Sequence, residues 1–168
     1  IIVVGAAAVS GTHSYFGCKH NGYQVASYSN RGSRVDVLAP GGSDSDNVFP
    51  DAKIYSTVAD GAVGYGYKVG TSMATPHVAG VAAMIFGIDP TFTAKEVKDI
   101  IKSTATGSYG EEGYKMLNAK LAVEKAIELR DQKANEKENS VAEPTDGHKY
   151  EIFRETLTWE EAKAACEA

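Results

Sequence analysis

The sequence predicts an α/β protein in which a mostly parallel sheet lies between layers of helix. Three short runs rich in Val or Ile, "IIVVGA" (1–6), "RVDVLAP" (34–40) and "KIYSTV" (53–58), are of strand length. The first lacks polar alternation, the pattern of a strand covered on both faces, as in a parallel sheet. Residues 72–86 are small and apolar almost all round, and two amphipathic stretches follow them, so helices are available to cover such a sheet.

Taken in order, "IIVVGAAAV" has the apolarity of a signal-peptide core. It lacks an initiator Met and a basic leading region, and its β-branched run ends in glycine and alanines, so a buried strand is expected. A chain that starts on a core strand is expected to have been cut from something longer. "GTHSYFGCKHNG" (11–22) reads as a polar loop. His13, Cys18 and His20 are three potential metal ligands there, too few for a closed site, and no metal is expected. "GGSDSDN" (41–47) is another loop. Its "DSDN" (44–47) has calcium-like acidity without the remaining ligands.

The run 72–86 should form a buried helix, with Ala74, Ala79, Gly80, Ala82 and Ala83 letting its backbone lie close to the sheet. A second helix begins at "TAKEVKDIIKS", where Thr93 and Glu96 have capping-box spacing and Val97, Ile100 and Ile101 make an apolar stripe. A third starts at a plausible cap, Asn118, and is expected to end near Arg130. Residues 131–147 are charged and polar with hardly an aliphatic side chain, which reads as a solvated linker. Beyond it, 148–168 open like a strand and close as a short amphipathic helix. There Trp159, Ala162 and Cys166 share a face, and Thr158 with Glu161 repeats the capping-box spacing. No internal repeat is present.

The 168 residues are 43% apolar and 23% charged, ordinary for a globular protein, and the net charge of −5 argues against a nucleic-acid partner. No apolar run approaches 18 residues, so no membrane span is expected. Cys18 and Cys166 are the only cysteines and fit one bridge or two separate thiols equally, which leaves the redox compartment open.

The informative stretch is "GTSMATPHVAG" (70–80). Ser72 stands at the mouth of the apolar helix, as an N-cap or as a nucleophile. Pro76 is read as lying within the first turn, where its missing N–H costs little, and Gly70 permits backbone shapes that other residues resist. A helix N-terminus aims free amides and a positive dipole at whatever sits there, which suits a developing oxyanion. A nucleophilic serine also needs a base. His77 lies five residues on, about 140° around the axis, so its side chain diverges from that of Ser72 and it is read as a structural histidine. Met73, beside Ser72, is expected to be sensitive to oxidation.

"GTSMATPHVAGVAAM" resembles the nucleophile motif of the subtilisin-like serine proteases over its full length. Other segments follow in family order. "IIVVGA" resembles the strand after the oxyanion asparagine, "ASYSNRGSRVDVLAPGG" the next block, and "IYST" the short strand that leads towards the serine. The resemblance covers residues 1 to about 128. It implies the C-terminal part of a three-layer subtilisin-like catalytic domain over residues 1–130, truncated at both ends. It also implies a serine endopeptidase with Ser72 as acylating nucleophile, the backbone N–H of Ser72 as one oxyanion donor, and a protein or peptide substrate. Asp36, within "VDVLAP", falls in a structural block rather than in the triad.

In subtilisin the triad runs Asp, His, Ser, with on the order of 150 residues between the His and the Ser. Ser72 has 71 residues before it. The triad Asp and His and the oxyanion asparagine are therefore expected upstream of this chain, which alone should be inactive. "GAVGYGYKVGTS" lacks the Gly-Lys-Ser/Thr of a phosphate loop, "GTSMA" is not a G-x-S-x-G elbow, and no Ser-x-x-Lys pair occurs. No cofactor is expected in these residues. The resemblance allows calcium in the full-length protein, and places that protein outside the cell or on its surface.

The final segment, "KYEIFRETLTWEEAKAACEA" (149–168), resembles the opening of a C-type lectin domain, with an aromatic strand and then a Thr-Trp-x-x-Ala helix carrying a disulfide cysteine. That would make 148–168 the start of a truncated lectin-like module, allow a glycan as a second partner, and leave Cys166 without its partner. A terminal helix docked on the protease is the plainer reading. A non-catalytic binding or adhesion protein, with a degenerate protease fold and a lectin-like module, is the alternative to a secreted or surface endopeptidase.

Overall fold

The computed structural model describes residues 1–12, 19–43, 52–59 and 64–139. Residues 1–133 form one compact unit, and a second unit takes in 134–168. His13, Cys18, the "DSDN" stretch, residues 140–147 of the expected linker and everything in the expected lectin-like segment lie outside the described residues.

The main sheet has five strands in the order β2-β1-β3-β7-β6. These are β1 (Val4–Thr12), β2 (Lys19–Val25), β3 (Val37–Pro40), β6 (Thr106–Tyr109) and β7 (Tyr114–Met116). Its centre is parallel: β3 runs with β1, from Val4 opposite Val37 to Ala7 opposite Pro40, and with β7 at Leu38 opposite Met116. Its edges are antiparallel, β2 on β1 and β6 on β7. The expected α/β class with a parallel centre is present.

Several elements depart from the sequence reading. The first strand begins at Val4, and Ile1 and Val3 are exposed. The stretch 11–22, expected as a loop, holds the end of β1 and the start of β2, with His20 inside β2. The third apolar run does not join the main sheet. Among the described residues its β4 (Ile54–Thr57) pairs only with β5 (Tyr65–Lys68), in a separate two-stranded ribbon. β2, β6 and β7 are too polar, glycine-rich or short for periodicity to reveal.

Alternation along the parallel strands sorts side chains between two cores. Ala6, Ala8, Val37 and Ala39 meet the helices in the larger cluster, with Val78, Val81, Ile85, Val97, Ile100 and Ile101. Ala7 and Leu38 point the other way, to Val25, Tyr114 and Met116. Burial of a side chain the size of Ile85 or Ile101, both fully enclosed, contributes about 1.5–3 kcal/mol.

α1 (Thr71–Ile88) packs on β1, β3 and α2 (Ala94–Thr104). It is not buried all round, as its composition predicts. Ala74, Val78, Val81 and Ile85 are buried on the side that faces the sheet, whereas Ala79, Gly80, Ala83, Met84 and Phe86 are exposed. The small residues at 79, 80 and 83 therefore do not bring the backbone onto the sheet. A Cβ added at Gly80 would meet nothing within 4 Å. By length and composition α1 is apolar enough to cross a membrane, with mean hydropathy 1.3. Its inner residues are instead part of the core.

α2 starts as expected. The Thr93 hydroxyl accepts from the Glu96 amide (3.2 Å), and the Glu96 carboxylate accepts from the Thr93 amide (2.7 Å). α3 (Ala119–Asn139) begins after Asn118, whose side chain accepts from the Leu121 amide at 3.0 Å. It runs nine residues past the expected end at Arg130 into the charged stretch. Strong helix formers and pairs such as Gln132 with Glu128 (2.9 Å) sustain it there without an apolar stripe.

Asp36 ties these layers together. Its carboxylate accepts from Lys98 (2.7 Å), Lys102 (2.9 Å) and the Val3 amide (2.9 Å), and its side chain is 8% exposed. Burial alone would raise its pKa. The hydrogen bonds from Lys102, Lys98 and Val3 outweigh burial and hold the carboxyl well below the usual carboxylate range. The placement of Asp36 in a structural block agrees with this geometry.

Candidate active site

The site is built on the glycines that follow β3. Gly41 donates to the Ala7 carbonyl and accepts, through its own carbonyl, from the Gly70 amide, both at 2.9 Å. A Cβ on Gly41 would lie 2.6 Å from Ala6 Cβ, 2.8 Å from Tyr28 Oη and 3.0 Å from the Gly70 oxygen, so only glycine fits between β1 and the turn. Tyr28 Oη donates to the Gly42 carbonyl at 2.6 Å. The block "ASYSNRGSRVDVLAPGG" is thus the floor under the turn that presents Ser72. Its composition gives no hint of that role, because what matters is the absence of a side chain.

Gly70 sits at φ 143° and ψ 165° and is the N-cap of α1. Ser72 is the second residue of the helix, so the capping role considered for it is not the one it plays. Among the described residues no side chain caps this helix. The Gly70 carbonyl accepts from the amides of Met73 (3.0 Å) and Ala74 (3.3 Å). The Thr71 and Ser72 amides precede the first position that an intrahelical bond can reach, so they remain available as donors. Ser72 is exposed, and among the described residues nothing hydrogen-bonds its hydroxyl. A hydroxyl and a free amide on one residue at a helix N-terminus can attack a carbonyl carbon and hold the oxyanion that results.

Pro76 stands in the second turn rather than the first. Its missing N–H deprives the Ser72 carbonyl of its usual partner four residues on. The Thr75 hydroxyl donates to the Thr71 carbonyl at 2.9 Å, within the same turn. His77 is exposed, and its Nδ1 lies 2.8 Å from the Met73 carbonyl, so the proton of that bond is on Nδ1. The ring is engaged with its own helix, as expected of a structural histidine. Met73 is half-buried, and with Tyr55, Lys68, Pro76 and His77 it lines a cavity of about 370 Å³ between α1 and the β4–β5 ribbon. Among the described residues no three His, Cys, Asp or Glu side chains are grouped to hold a metal.

The subtilase family (peptidase S8) matches residues 1–143. A subtilisin of Bacillus pumilus is 43% identical over 110 residues, 64% of this chain and 36% of that protein. An extracellular protease of Xanthomonas campestris is 39% identical over 107 residues, 61% of this chain and 18% of the relative. Among solved structures, a protease of Pseudoalteromonas arctica superposes with a TM-score of 0.54 at 40% identity, covering 61% of this chain and 32% of that one. The chain thus spans about a third or less of the length of these relatives. Its fold and the family match agree: the chain belongs to the subtilase family.

Proposed function

We propose that the protein carrying this chain is a subtilisin-like serine endopeptidase that cleaves peptide bonds through an acyl-enzyme on Ser72. The observation that carries this reading is the placement of an unengaged Ser72 hydroxyl beside its own free amide, at the start of a helix braced by Gly41 and Gly70. In the first step Ser72 Oγ bonds to the carbonyl carbon of the scissile peptide. Its proton passes to a base, and the Ser72 N–H donates to the oxyanion. Collapse breaks the C–N bond, the amine leaves with that proton, and water then hydrolyses the ester. The base and a second oxyanion donor come from outside the described residues, where the family resemblance puts an Asp, a His and an Asn. The kinship also supports a place outside the cell.

The test compares the 168-residue chain with the protein expressed from its full reading frame, each with and without Ser72→Ala, on an unstructured protein substrate. The full protein is expected to hydrolyse it in a Ser72-dependent way and the 168 residues alone are not. Removing triad members together costs at least as much as removing one, because they act as a unit. Ser72-independent hydrolysis by the full protein would refute the proposal.

A further inference from the structure

Tyr28 has no part in the proposed bond chemistry, yet its hydroxyl lies under the turn that carries Ser72. The segment that holds it is stitched to β1 at Ala6. The Ala26 amide donates to the Ala6 carbonyl and the Ala6 amide donates to Ser29 Oγ, both at 2.9 Å. The Ser29 amide closes the turn on the Ala26 carbonyl at 3.0 Å. Ser29 is buried, and the Tyr28 ring packs against the larger core cluster. The phenol is thus delivered to one place.

What it meets there is the pair of glycines beneath the serine turn. Tyr28 Oη donates to the Gly42 carbonyl at 2.6 Å, and a Cβ on Gly41 would lie 2.8 Å from it. Two adjacent glycines are freely jointed backbone unless something holds them. Backbone groups grip this pair at either end, Gly41 through Ala7 and Gly70, and Ser43 through the Ala52 carbonyl at 2.8 Å. Between those grips Gly42 sits at φ 84°, and the phenol holds its carbonyl. A Cβ on Gly42 would come within 3.0 Å of Val69 Cγ1, so this backbone also lies against the residue before Gly70. Rotation at Gly42 would disturb both supports of the Ser72 turn, the Gly70–Gly41 bond and the Val69 contact.

We propose that Tyr28 is a positioning residue for Ser72: its hydroxyl locks the Gly41–Gly42 backbone, and through Gly70 keeps the serine hydroxyl and amide aligned for attack. This rests on the reading of Ser72 as nucleophile. Tyr28 acts through the backbone, so its loss lowers the rate of acylation and leaves substrate binding alone. The experiment uses the protein from its full reading frame with Tyr28→Phe, which removes one oxygen and keeps the ring in the core. Inactivation by an ethyl fluorophosphonate should slow about fivefold or more in its limiting rate, with the half-saturating concentration unchanged. On the unstructured protein substrate kcat should fall by a similar factor at unchanged KM. Thr93→Ala, which removes a hydrogen bond at the start of α2, should react at the wild-type rate. Hydrogen exchange of the Gly70 amide should quicken in Tyr28→Phe, because the bond to Gly41 opens more often.

A wild-type inactivation rate in Tyr28→Phe would overturn the proposal. So would a loss confined to KM, or an equal loss in Thr93→Ala, which would make the effect one of general stability. The exchange measurement needs no nucleophile and separates the two readings. If the probe leaves Ser72 of the otherwise unaltered protein unmodified, the nucleophile reading fails. Faster exchange at Gly70 in Tyr28→Phe would then keep the brace, and unchanged exchange would overturn it.

Discussion

Gly70 donates its amide to the carbonyl of Gly41 at 2.9 Å, and this bond joins the turn that carries Ser72 to the end of β3. The parallel pairing of β3 with β1 thereby fixes the position of Ser72, since Gly41 is itself held by Ala7. The position of Ser72 comes from the sheet, and the free amides around it from the helix terminus.

Gly41→Ala tests that brace. Its Cβ would sit 2.6 Å from Ala6 Cβ, a backbone-anchored neighbour that cannot swing away. The variant is expected to lose about 2 kcal/mol of stability. In the full protein its rate of fluorophosphonate labelling should fall at least about tenfold, because a small displacement of a reacting atom is costly. A variant with unchanged melting and labelling would show that the turn does not depend on this contact.

Asp36 sets an acid dependence of stability. Its carboxyl is held well below the ordinary value by Lys102, Lys98 and the Val3 amide, against the opposing effect of burial. The folded pKa is depressed, so the contribution is complete above the unfolded value of about 4 and is lost as pH falls through that value towards the folded one. Asp36→Asn should cost about 2 kcal/mol at pH 7, less than a fully buried pair because both lysines reach solvent. Urea midpoints of the two proteins should converge between about pH 5 and pH 2. A gap that stays constant over that range would refute the assignment.

How far the sequence revealed this structure varies with the kind of feature. The capping box of Thr93 and Glu96, the stripe of Val97, Ile100 and Ile101, and the Asn118 cap were readable because each is a local pattern. The identity of Ser72 as the candidate nucleophile came from resemblance; helix geometry alone left capping equally open. The floor under it was hidden, since Gly41 matters through Ala6 and Tyr28, which are distant in sequence. The same holds for β4, whose apolar run looks like a core strand but, among the described residues, pairs only with β5. In α1, apolarity all round predicted burial all round. Composition cannot say which faces have neighbours, and Met84 and Phe86 face outward.

The cap of α2 gives a smaller, local prediction. Thr93→Ala removes the acceptor of the Glu96 amide and should cost about 1 kcal/mol. Glu96 is held at a pKa of about 2, chiefly by the Lys133 ammonium 2.7 Å away and then by Thr93. Thermal melts of Thr93→Ala and Thr93→Ser should separate, with the serine variant near wild type. Equal loss in both would argue against the capping contact.

Met73 offers a chemical handle. It is half-buried on the cavity wall beside Ser72, and its sulfoxide would place a polar, bulkier group there. Dilute peroxide should slow fluorophosphonate labelling of the full protein several-fold, and Met73→Leu should make labelling resistant. Equal sensitivity of the Leu variant would place the damage elsewhere.

The central claim is that Ser72 is the nucleophile. Its most direct test is to treat the protein from its full reading frame with a fluorophosphonate probe and locate the adduct by peptide mass spectrometry. The adduct is expected on the peptide containing "GTSMATPHVAG", at Ser72, and it should vanish in Ser72→Ala. An adduct on another residue, or undiminished labelling in Ser72→Ala, would contradict the claim.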